Sequence, residues 1–175
     1  MKEYKEFITT NYNNFFEKHY FMSILKNIIK IGNLNNTKKI ILDFGCGQKI
    51  VSKILKNVTV LNYDIKPEFS DHKTYKNLKF DVVIFNHVLM YLYPEEISKL
   101  FDEIKNINSD CEIILGLSKQ NIISKIGKFL TGNPNAHDNT RSSYKDQVDI
   151  LFKKSKLIKK KFNVFFMTDI YYSRF

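Results

Sequence analysis

Cysteine is scarce in this chain of 175 residues, which contains only Cys46 and Cys111. Two cysteines do not make the disulfide framework of a small secreted protein, so we expect a reducing, cytoplasmic environment. The first residues, MKEYKEF, lack the apolar stretch of a signal peptide. The most apolar run, residues 82–93, is too short to span a bilayer and is interrupted by Asn86 and His87. These absences argue against a disulfide scaffold and against a membrane-spanning protein.

Patterns typical of metal ligands and activated nucleophiles are also missing. The four histidines are scattered at positions 19, 72, 87 and 137, without the spacing that metal ligands show. No arrangement of a serine or cysteine with histidine suggests nucleophilic catalysis. The sequence therefore predicts neither a metal site nor a covalent enzyme intermediate.

Positive charge, by contrast, is in excess, with a formal net charge of +10. Lys and Arg are spread along the chain, which favours a solvated basic surface over a binding site for nucleic acid or anionic membrane. The densest group is the set of lysines at positions 153, 154, 156, 159, 160 and 161. We expect this group to lie away from the edge of the fold where chemistry takes place. The length and a hydrophobic content of 43% suffice for one domain with its own core.

One stretch, residues 40–47 with the sequence IILDFGCG, organises the chain. Its apolar start predicts a buried parallel strand that ends at Asp43. Gly45 and Gly47 predict a sharp turn whose backbone can approach a ligand closely. Residues 49–57 then carry apolar side chains at helical spacing. A strand, a glycine turn and a helix in this order predict the ligand-binding corner of a doubly wound α/β sheet.

Two further segments continue this pattern. Residues 58–65, VTVLNYDI, predict a second strand, and Asp64 at its end is placed to bind ribose hydroxyls. A dinucleotide fingerprint would need a third glycine where this chain has Ile50. Residues 80–92, FDVVIFNHVLMYL, begin with a run that is apolar on both faces. They predict a central strand with Asn86 and His87 at its carboxyl end.

Together these three motifs resemble those of the class I S-adenosylmethionine-dependent methyltransferases. The resemblance runs from about residue 11 to the C-terminus and is strongest over residues 38–92. Lys49 is a departure, because many members have a further glycine at that position, two residues after Gly47. The order and spacing of three motifs make the resemblance specific, whereas a bare G-x-G would not.

The resemblance implies a Rossmann-like three-layer sandwich in a single domain over residues 1–175. We expect a mostly parallel sheet of the seven-strand type, with an antiparallel last strand that follows a tight reversal at Thr168 and Asp169. Residues 66–79 leave room only for a shortened region between strands two and four. A helical cap, residues 1–37, would precede a Rossmann-like core, residues 38–175. Helices are predicted over residues 14–31, from Pro94, and over residues 120–130 and 143–154.

The implied cofactor is S-adenosylmethionine. We expect Asp43 to orient its methionine portion, Asp64 to accept hydrogen bonds from both ribose hydroxyls, and Ile65 to pack on the adenine. The full predicted cofactor set is Asp43, Gly45, Cys46, Gly47, Asp64, Ile65, Asn86 and His87. A few aromatic and polar residues are expected to line a pocket for the methyl acceptor, namely Tyr12, Tyr20, Tyr91, His137 and Arg141.

Proton transfer is the other chemical requirement to consider. Methyl transfer from a sulfonium is an in-line displacement, so correct positioning supplies most of the acceleration. A general base is needed only where the acceptor must lose a proton. His87 and His137 are the candidate bases, because histidine titrates near neutral pH. A packed core histidine is the alternative for His87, and a plain solvated loop is the alternative for His137.

The predicted function is methyl transfer to a small polar metabolite, such as a sugar or a sugar nucleotide. Two alternatives stay open. A nucleic-acid methyltransferase is favoured by the charge, although Asn86-His87-Val88-Leu89 stands where enzymes acting on base amino groups usually carry Asn/Asp-Pro-Pro-aromatic. A non-catalytic module that binds the cofactor is the other. The sequence does not indicate an oligomeric state.

Overall fold

A computed structural model describes residues 15–119, 139–162 and 167–175 of the chain. The helices in chain order are α1 (Phe15–Ile31), α2 (Ile50–Ile54), α3 (Pro94–Ile107) and α4 (Tyr144–Lys154). The strands are β1 (Ile41–Phe44), β2 (Val60–Tyr63), β3 (Val82–Asn86), β4 (Glu112–Ser118), β5 (Lys156–Phe162) and β6 (Thr168–Arg174). A short 3-10 helix, Leu89–Tyr91, follows β3.

The described strands form one sheet of six, in the order β2-β1-β3-β4-β6-β5. Strands β1 to β4 pair in parallel, and β6 runs antiparallel between β4 and β5. Because β6 is reversed, its first residue, Thr168, lies beside Ser118 at the end of β4. The ends of β1, β3 and β4 and the start of β6 thus share one side of the sheet, called here the carboxyl edge. The predicted mostly parallel sheet with an antiparallel last strand is confirmed.

Two apolar layers attach the helices to opposite faces of this sheet. On one face, Ile24 and Ile28 of α1 pack with Ile84 and Ile114 of the central strands, and all four side chains are fully buried. On the other face, α3 and α4 cover an equally buried layer that includes Phe85, Phe101, Ile113, Leu115 and Leu151. Each such side chain contributes about 1.5–3 kcal/mol relative to leaving it in water. The arrangement is the predicted three-layer sandwich.

The central strand β3 follows directly from its composition. Val82, Val83, Ile84 and Phe85 are all fully buried, since helices cover both faces of the strand. The strand is shorter than predicted, because His87 leaves the extended conformation with a φ of +57°. Asn86 and His87 nevertheless lie at its carboxyl end, as the sequence predicts.

Between β2 and β3 the chain is shortened, as predicted. Residues 64–81 form turns and bends with no helix or strand. Asn62 fixes this segment to β2, because its side chain donates to Asp71 Oδ2 at 2.8 Å and its carbonyl accepts from Asp71 N at 3.0 Å. The connection therefore stays close to the end of β2 instead of forming another layer.

Some sequence predictions need correction. The predicted reversal at Thr168 and Asp169 is wrong, because both residues are already within β6 and pair with Ser118 and Leu117. Strand β5 ends at Phe162, and the antiparallel strand β6 begins at Thr168. Helix α2 contains only five residues and is shorter than the predicted residues 49–57. The helix predicted over residues 120–130 lies outside the described residues.

The N-terminal ends of α3 and α4 match their sequence signals. Pro94 is the first residue of α3, and Glu96 accepts from Tyr93 N at 2.7 Å. Ser143 caps α4, since its Oγ accepts from Asp146 N at 3.1 Å. Within the described part of the chain, no helix has the length and apolar character needed to cross a membrane. The division into a cap, residues 1–37, and a core, residues 38–175, stays a prediction.

Candidate functional site

The glycine turn after β1 is tied to the end of β2 by its backbone. Gly45 N and Cys46 N both donate to Tyr63 O, at 2.7 and 3.1 Å. Gly45 and Gly47 have φ values of +76° and +47°, which side-chain-bearing residues rarely adopt. The turn therefore has the left-handed backbone that its two glycines predicted.

A second constraint acts on Gly45 alone. A Cβ atom at Gly45 would lie 2.5 Å from Val88 Cγ2, whereas one at Gly47 would meet nothing within 4 Å. Val88 directly follows His87, so the chain after β3 packs against the glycine turn. The two parts of the sequence that carry the strongest motifs are thus in direct contact.

The variants Gly45→Ala and Gly47→Ala form a matched pair. Both introduce a Cβ at a positive φ, but only Gly45→Ala also forces Val88 to move. We expect Gly45→Ala to be the less stable variant by about 1–3 kcal/mol, the usual cost of overpacking. Urea denaturation of both proteins measures the difference. Equal stabilities would show that Val88 does not pack on Gly45.

Lys49 takes over the role of the glycine that many relatives have at its position. Its φ of 57° and ψ of 39° lie in the left-handed region, at a cost of about 1–2 kcal/mol for a residue with a side chain. Its backbone N donates to Cys46 O at 2.9 Å, and its ammonium forms an ion pair with Asp71. The departure from the family pattern therefore leaves the backbone path of the turn intact.

Asp64 follows β2, and its side chain is hydrogen-bonded to the same glycine turn. Its Oδ2 accepts from Gly47 N and its Oδ1 accepts from Lys66 N, both at 3.0 Å. Each carboxylate oxygen can accept a second hydrogen bond. The two contacts orient the carboxylate and leave it able to accept from a ligand. Ile65, the next residue, is 81% exposed, so its side chain is available for a ligand surface.

Asp43 is the most perturbed carboxyl at this edge. It is buried at the third position of β1, and burial together with the nearby charge of Asp64 raises its pKa from 3.8 to about 7. Ionising this group in the ligand-free protein is therefore unfavourable near neutral pH. A cationic group bound beside it would favour the ionised form.

Asn86 presents a buried acceptor atom at the end of the neighbouring strand β3, two residues after Ile84, which pairs with Asp43. Its Oδ1 is buried and has no hydrogen-bond partner among the described residues. Gly116 of β4 makes room for it, since a Cβ at Gly116 would lie 2.6 Å from this oxygen. Buried polar atoms normally have a partner, so an orphaned one at this edge indicates a ligand.

His87 is fixed by contacts from three elements. Its backbone N donates to Gly116 O at 2.9 Å, and its ring lies 6.0 Å from the ring of Phe21 in α1. Its Nε2 is 3.1 Å from Thr168 Oγ1, and that oxygen is 2.6 Å from the hydroxyl of Tyr20. The structure thus brings together two predicted site residues, Tyr20 and His87, through a threonine.

Comparison with known proteins decides the family. The sequence profile of a family described as "Methyltransferase domain" matches residues 16–110, more than half of the chain. This chain belongs to the methyltransferase-domain family. The predicted membership in the S-adenosylmethionine-dependent methyltransferases is confirmed, and with it the enzyme class and the cofactor. No curated protein sequence matches the chain significantly.

Solved structures agree with the fold of this methyltransferase. Magnesium protoporphyrin IX methyltransferase from Synechocystis PCC 6803 with bound SAH superposes with a TM-score of 0.64 at 16% identity, covering 92% of this chain and 87% of that one. The PH0226 protein from Pyrococcus horikoshii OT3 superposes with a TM-score of 0.72 at 12% identity, covering 99% of this chain and 98% of that one. The N-methyltransferase NodS from Bradyrhizobium japonicum WM9 superposes with a TM-score of 0.59 at 12% identity, covering 93% of this chain and 88% of that one. At these identities the likeness shows the fold alone.

The residues of the methyltransferase fit the cofactor that its family uses. The cofactor's methionine portion carries an ammonium group, which suits the carboxyl of Asp43 and the orphaned oxygen of Asn86. Its ribose suits the oriented carboxylate of Asp64. Each individual assignment stays a prediction, including those of Gly45, Cys46, Gly47 and Ile65.

The remaining predicted acceptor residues are only partly described. Arg141 N donates to Met90 O at 2.8 Å, which places the arginine beside the 3-10 turn that contains Tyr91. Its guanidinium lies over the ring of Tyr93, 5.0 Å from the centroid. Tyr12 and His137 lie outside the described residues, so their predicted roles stay predictions.

Neither cysteine has the character of a reactive thiol. Both are free and buried, and burial raises the pKa of Cys46 and of Cys111 to about 12. Cys46 Sγ donates to Phe69 O at 3.4 Å. Cys111 precedes β4, at the opposite side of the sheet from the carboxyl edge. The described residues contain no group of histidine, cysteine or acidic side chains that could hold a metal ion.

Two features of the carboxyl edge were missed in the sequence. One is Thr168, for which the sequence predicts a position in a turn. The other is Asp169, a fully buried residue whose carboxylate is 2.6 Å from Lys119 Nζ and 3.0 Å from Lys160 Nζ. Burial alone would raise the pKa of Asp169, but bonds from Lys119, Tyr144 and Lys160 lower it. The predicted topology could have located both residues, because an antiparallel last strand must begin at the carboxyl edge.

The position of the lysine group also needs correction. Strand β5 runs parallel to β4, so its last residues approach the carboxyl edge, and Phe162 lies opposite Asp169. Only the start of the group, near Lys156, lies at the other side of the sheet. At the carboxyl edge the lysines are engaged, because Lys160 pairs with Asp169 and Lys161 donates to Asn27 Oδ1 at 2.7 Å.

Proposed function

We propose that this methyltransferase transfers a methyl group to a small polar metabolite bound at the carboxyl edge, beside His87. The observation that carries the proposal is the set of polar residues at that edge, namely the buried Asp43 and Thr168 and the half-buried Asn86 and His87. Small-ligand sites combine apolar walls with a few such polar groups that fix orientation. A hydroxylated or carboxylated compound, such as a sugar or a sugar nucleotide, suits this composition.

The cofactor supplies an activated methyl group, and the residues of the chain bind and orient it. The ammonium of the methionine portion would be held by the carboxylate charge of Asp43 and by the neutral amide oxygen of Asn86. Asp64 would accept from the ribose hydroxyls, while the Gly45–Gly47 turn allows close approach. Ile65 would cover the adenine. These contacts fix the direction of the methyl group, and correct alignment supplies most of the rate enhancement.

The acceptor would lie against Tyr20, Tyr91 and Arg141, with Tyr12 and His137 completing the wall. An acceptor hydroxyl or amine must lose a proton as the new bond forms. His87 is the best placed candidate for this proton, because β3, β4 and β6 fix its position. Support for a small acceptor comes also from the structural neighbour named for its action on magnesium protoporphyrin IX.

A nucleic-acid substrate is the second candidate, favoured by the net charge of +10. A nucleic-acid enzyme should offer unpaired Lys and Arg around the site. Here Lys49, Lys119 and Lys160 are all in ion pairs with aspartates. The pairing supports the small acceptor, since Asp71 and Asp169 offset two of these three positive charges within the chain.

Labelled S-adenosylmethionine distinguishes the candidates. The protein is incubated with a panel of sugars, sugar nucleotides and hydroxy acids, and in parallel with total RNA and duplex DNA at physiological salt. We expect label to enter a small molecule and nucleic-acid binding to be weak. Label in RNA or DNA, with tight and steeply salt-dependent binding, would contradict the proposal. Cofactor binding without transfer to any acceptor would favour a non-catalytic module.

A further inference from the structure

A chain of hydrogen bonds leads from the carboxyl edge into helix α1. His87 Nε2 lies 3.1 Å from Thr168 Oγ1, and the same oxygen lies 2.6 Å from the Tyr20 hydroxyl. Thr168 is fully buried at the start of β6. The chain therefore links three elements that are distant in sequence, and Thr168 is its central member.

Other contacts hold the backbone and the ring of His87 in place. Its backbone has a φ of +57°, an unusual conformation that proteins retain mainly where the surroundings enforce it. Its backbone N–H is bonded to Gly116, and its ring contacts Phe21. These contacts do not determine which ring nitrogen carries the proton in the neutral imidazole, whereas the hydrogen bond between Nε2 and Thr168 can.

Among the described residues, Thr168 Oγ1 lies within hydrogen-bond distance of His87 Nε2 and of the Tyr20 hydroxyl. Its hydroxyl has one proton and two acceptor lone pairs, so it donates to one of these neighbours or accepts from both. If it donates to Tyr20, or accepts from both, the proton of the neutral imidazole is on Nε2 and Nδ1 carries the lone pair. If it donates to His87, Nε2 carries the lone pair and is blocked. Burial raises the pKa of Tyr20 to about 12, so its hydroxyl stays protonated at neutral pH in every arrangement.

We propose that Thr168 is a positioning residue that accepts the Nε2 proton of His87 and donates to Tyr20, so that Nδ1 is the basic nitrogen. A base oriented by a hydrogen bond from its second nitrogen is a general requirement of such sites. When Nδ1 takes a proton, the resulting imidazolium still donates from Nε2 to Thr168 Oγ1. The hydrogen bonds between His87, Thr168 and Tyr20 therefore stay as they were. The proposal rests on the proposed role of His87 as the base.

Nitrogen NMR of the imidazole tests the tautomer without any need for an acceptor. The signal of His87 is identified by its loss in His87→Asn. We expect the Nε2–H tautomer in the wild type and in Thr168→Ser, which keeps the hydroxyl. Thr168→Val has the same shape without the hydroxyl, and it should lose this preference. An unchanged tautomer in Thr168→Val would overturn the proposal.

Kinetics with an acceptor from the labelled panel give the second readout. Losing one hydrogen bond should lower kcat of Thr168→Val about three- to tenfold, with KM unchanged and with rescue in Thr168→Ser. Tyr20→Phe should give a smaller loss, since Thr168 keeps its own hydroxyl. A locked tautomer together with normal turnover of His87→Asn would uphold the assignment of the Nε2 proton but contradict the base, and with it the positioning role of Thr168 in catalysis. Equal kcat in Thr168→Val and the wild type would contradict the positioning role in catalysis.

Discussion

Replacing His87 with asparagine should slow methyl transfer by about 10²- to 10⁴-fold, the usual contribution of a general base. Asparagine is the appropriate substitution because it tolerates the left-handed backbone better than most residues, and His87 has a φ of +57°. The change therefore removes the imidazole without adding backbone strain. Turnover is measured at saturating S-adenosylmethionine and acceptor, and cofactor affinity is measured separately.

The affinity for S-adenosylhomocysteine should fall far less than turnover in this variant, because the polar groups proposed to hold the ammonium and the ribose, Asp43, Asn86 and Asp64, remain in place although His87 is also in the predicted cofactor set. His137→Ala is the parallel variant for the other predicted base. If His87→Asn and His137→Ala both turn over normally, neither predicted base takes the proton, and positioning alone accounts for catalysis.

The Asp43→Asn variant should be more stable than the wild type in the absence of cofactor, and its advantage should grow with pH. Burial and the nearby charge of Asp64 raise the pKa of Asp43 from 3.8 to about 7 in the folded protein. A carboxyl with a raised pKa favours folding below its unfolded pKa, and this contribution is lost as pH rises through the folded pKa. Asparagine does not titrate, so the free energy of unfolding of the variant does not fall in this way as the pH rises.

The size of the effect follows from the shift. A change from 3.8 to about 7 corresponds to roughly 4 kcal/mol, because one pKa unit is worth about 1.36 kcal/mol. Urea denaturation at intervals from pH 4 to pH 8 measures it. The difference between variant and wild type should grow up to about pH 7 and then level off. Gly47→Ala, which alters the same turn but keeps the carboxyl, should run parallel to the wild type. A pH-independent difference would show that Asp43 is ionised at all these pH values.

This predicted stability of the variant has a functional counterpart. The wild type retains a carboxyl that is unfavourable to ionise in the empty protein, and a bound ammonium group would relieve that penalty. If Asp43 binds this ammonium group as proposed, the stability of the empty protein is exchanged there for cofactor binding.

Motif order allowed much of this fold to be predicted. The apolar segment at residues 82–85 could only be a central strand, and it is fully buried. Asp64 and Asn86 lie where their strands end, because carboxyl ends of parallel strands share one edge. These features depend on local composition and on one topological rule, so a single sequence suffices to find them.

The contacts between distant segments could not be predicted in this way. The link from His87 to Thr168 joins residues 81 positions apart, and nothing in either local sequence indicates it. The same holds for Val88 against Gly45, and for Asp169 with Lys119 and Lys160. The contacts of Thr168 and Asp169 depend on the register of β6 against β4, and the contact of Val88 depends on the register of β3 against β1. Periodicity does not determine either register.

Calorimetric titration with S-adenosylhomocysteine tests the central claim, that the cofactor is bound at the Gly45–Gly47 turn between Asp43 and Asp64. The wild type should bind one equivalent. Asp64→Ala should bind at least about tenfold more weakly, because a lost bond to a charged group costs about 1.5–3 kcal/mol. Asp102→Ala, which removes an exposed aspartate paired with Lys154 on α4, is the control and should bind normally. No binding to the wild type, or equal binding by Asp64→Ala and the wild type, would contradict the account.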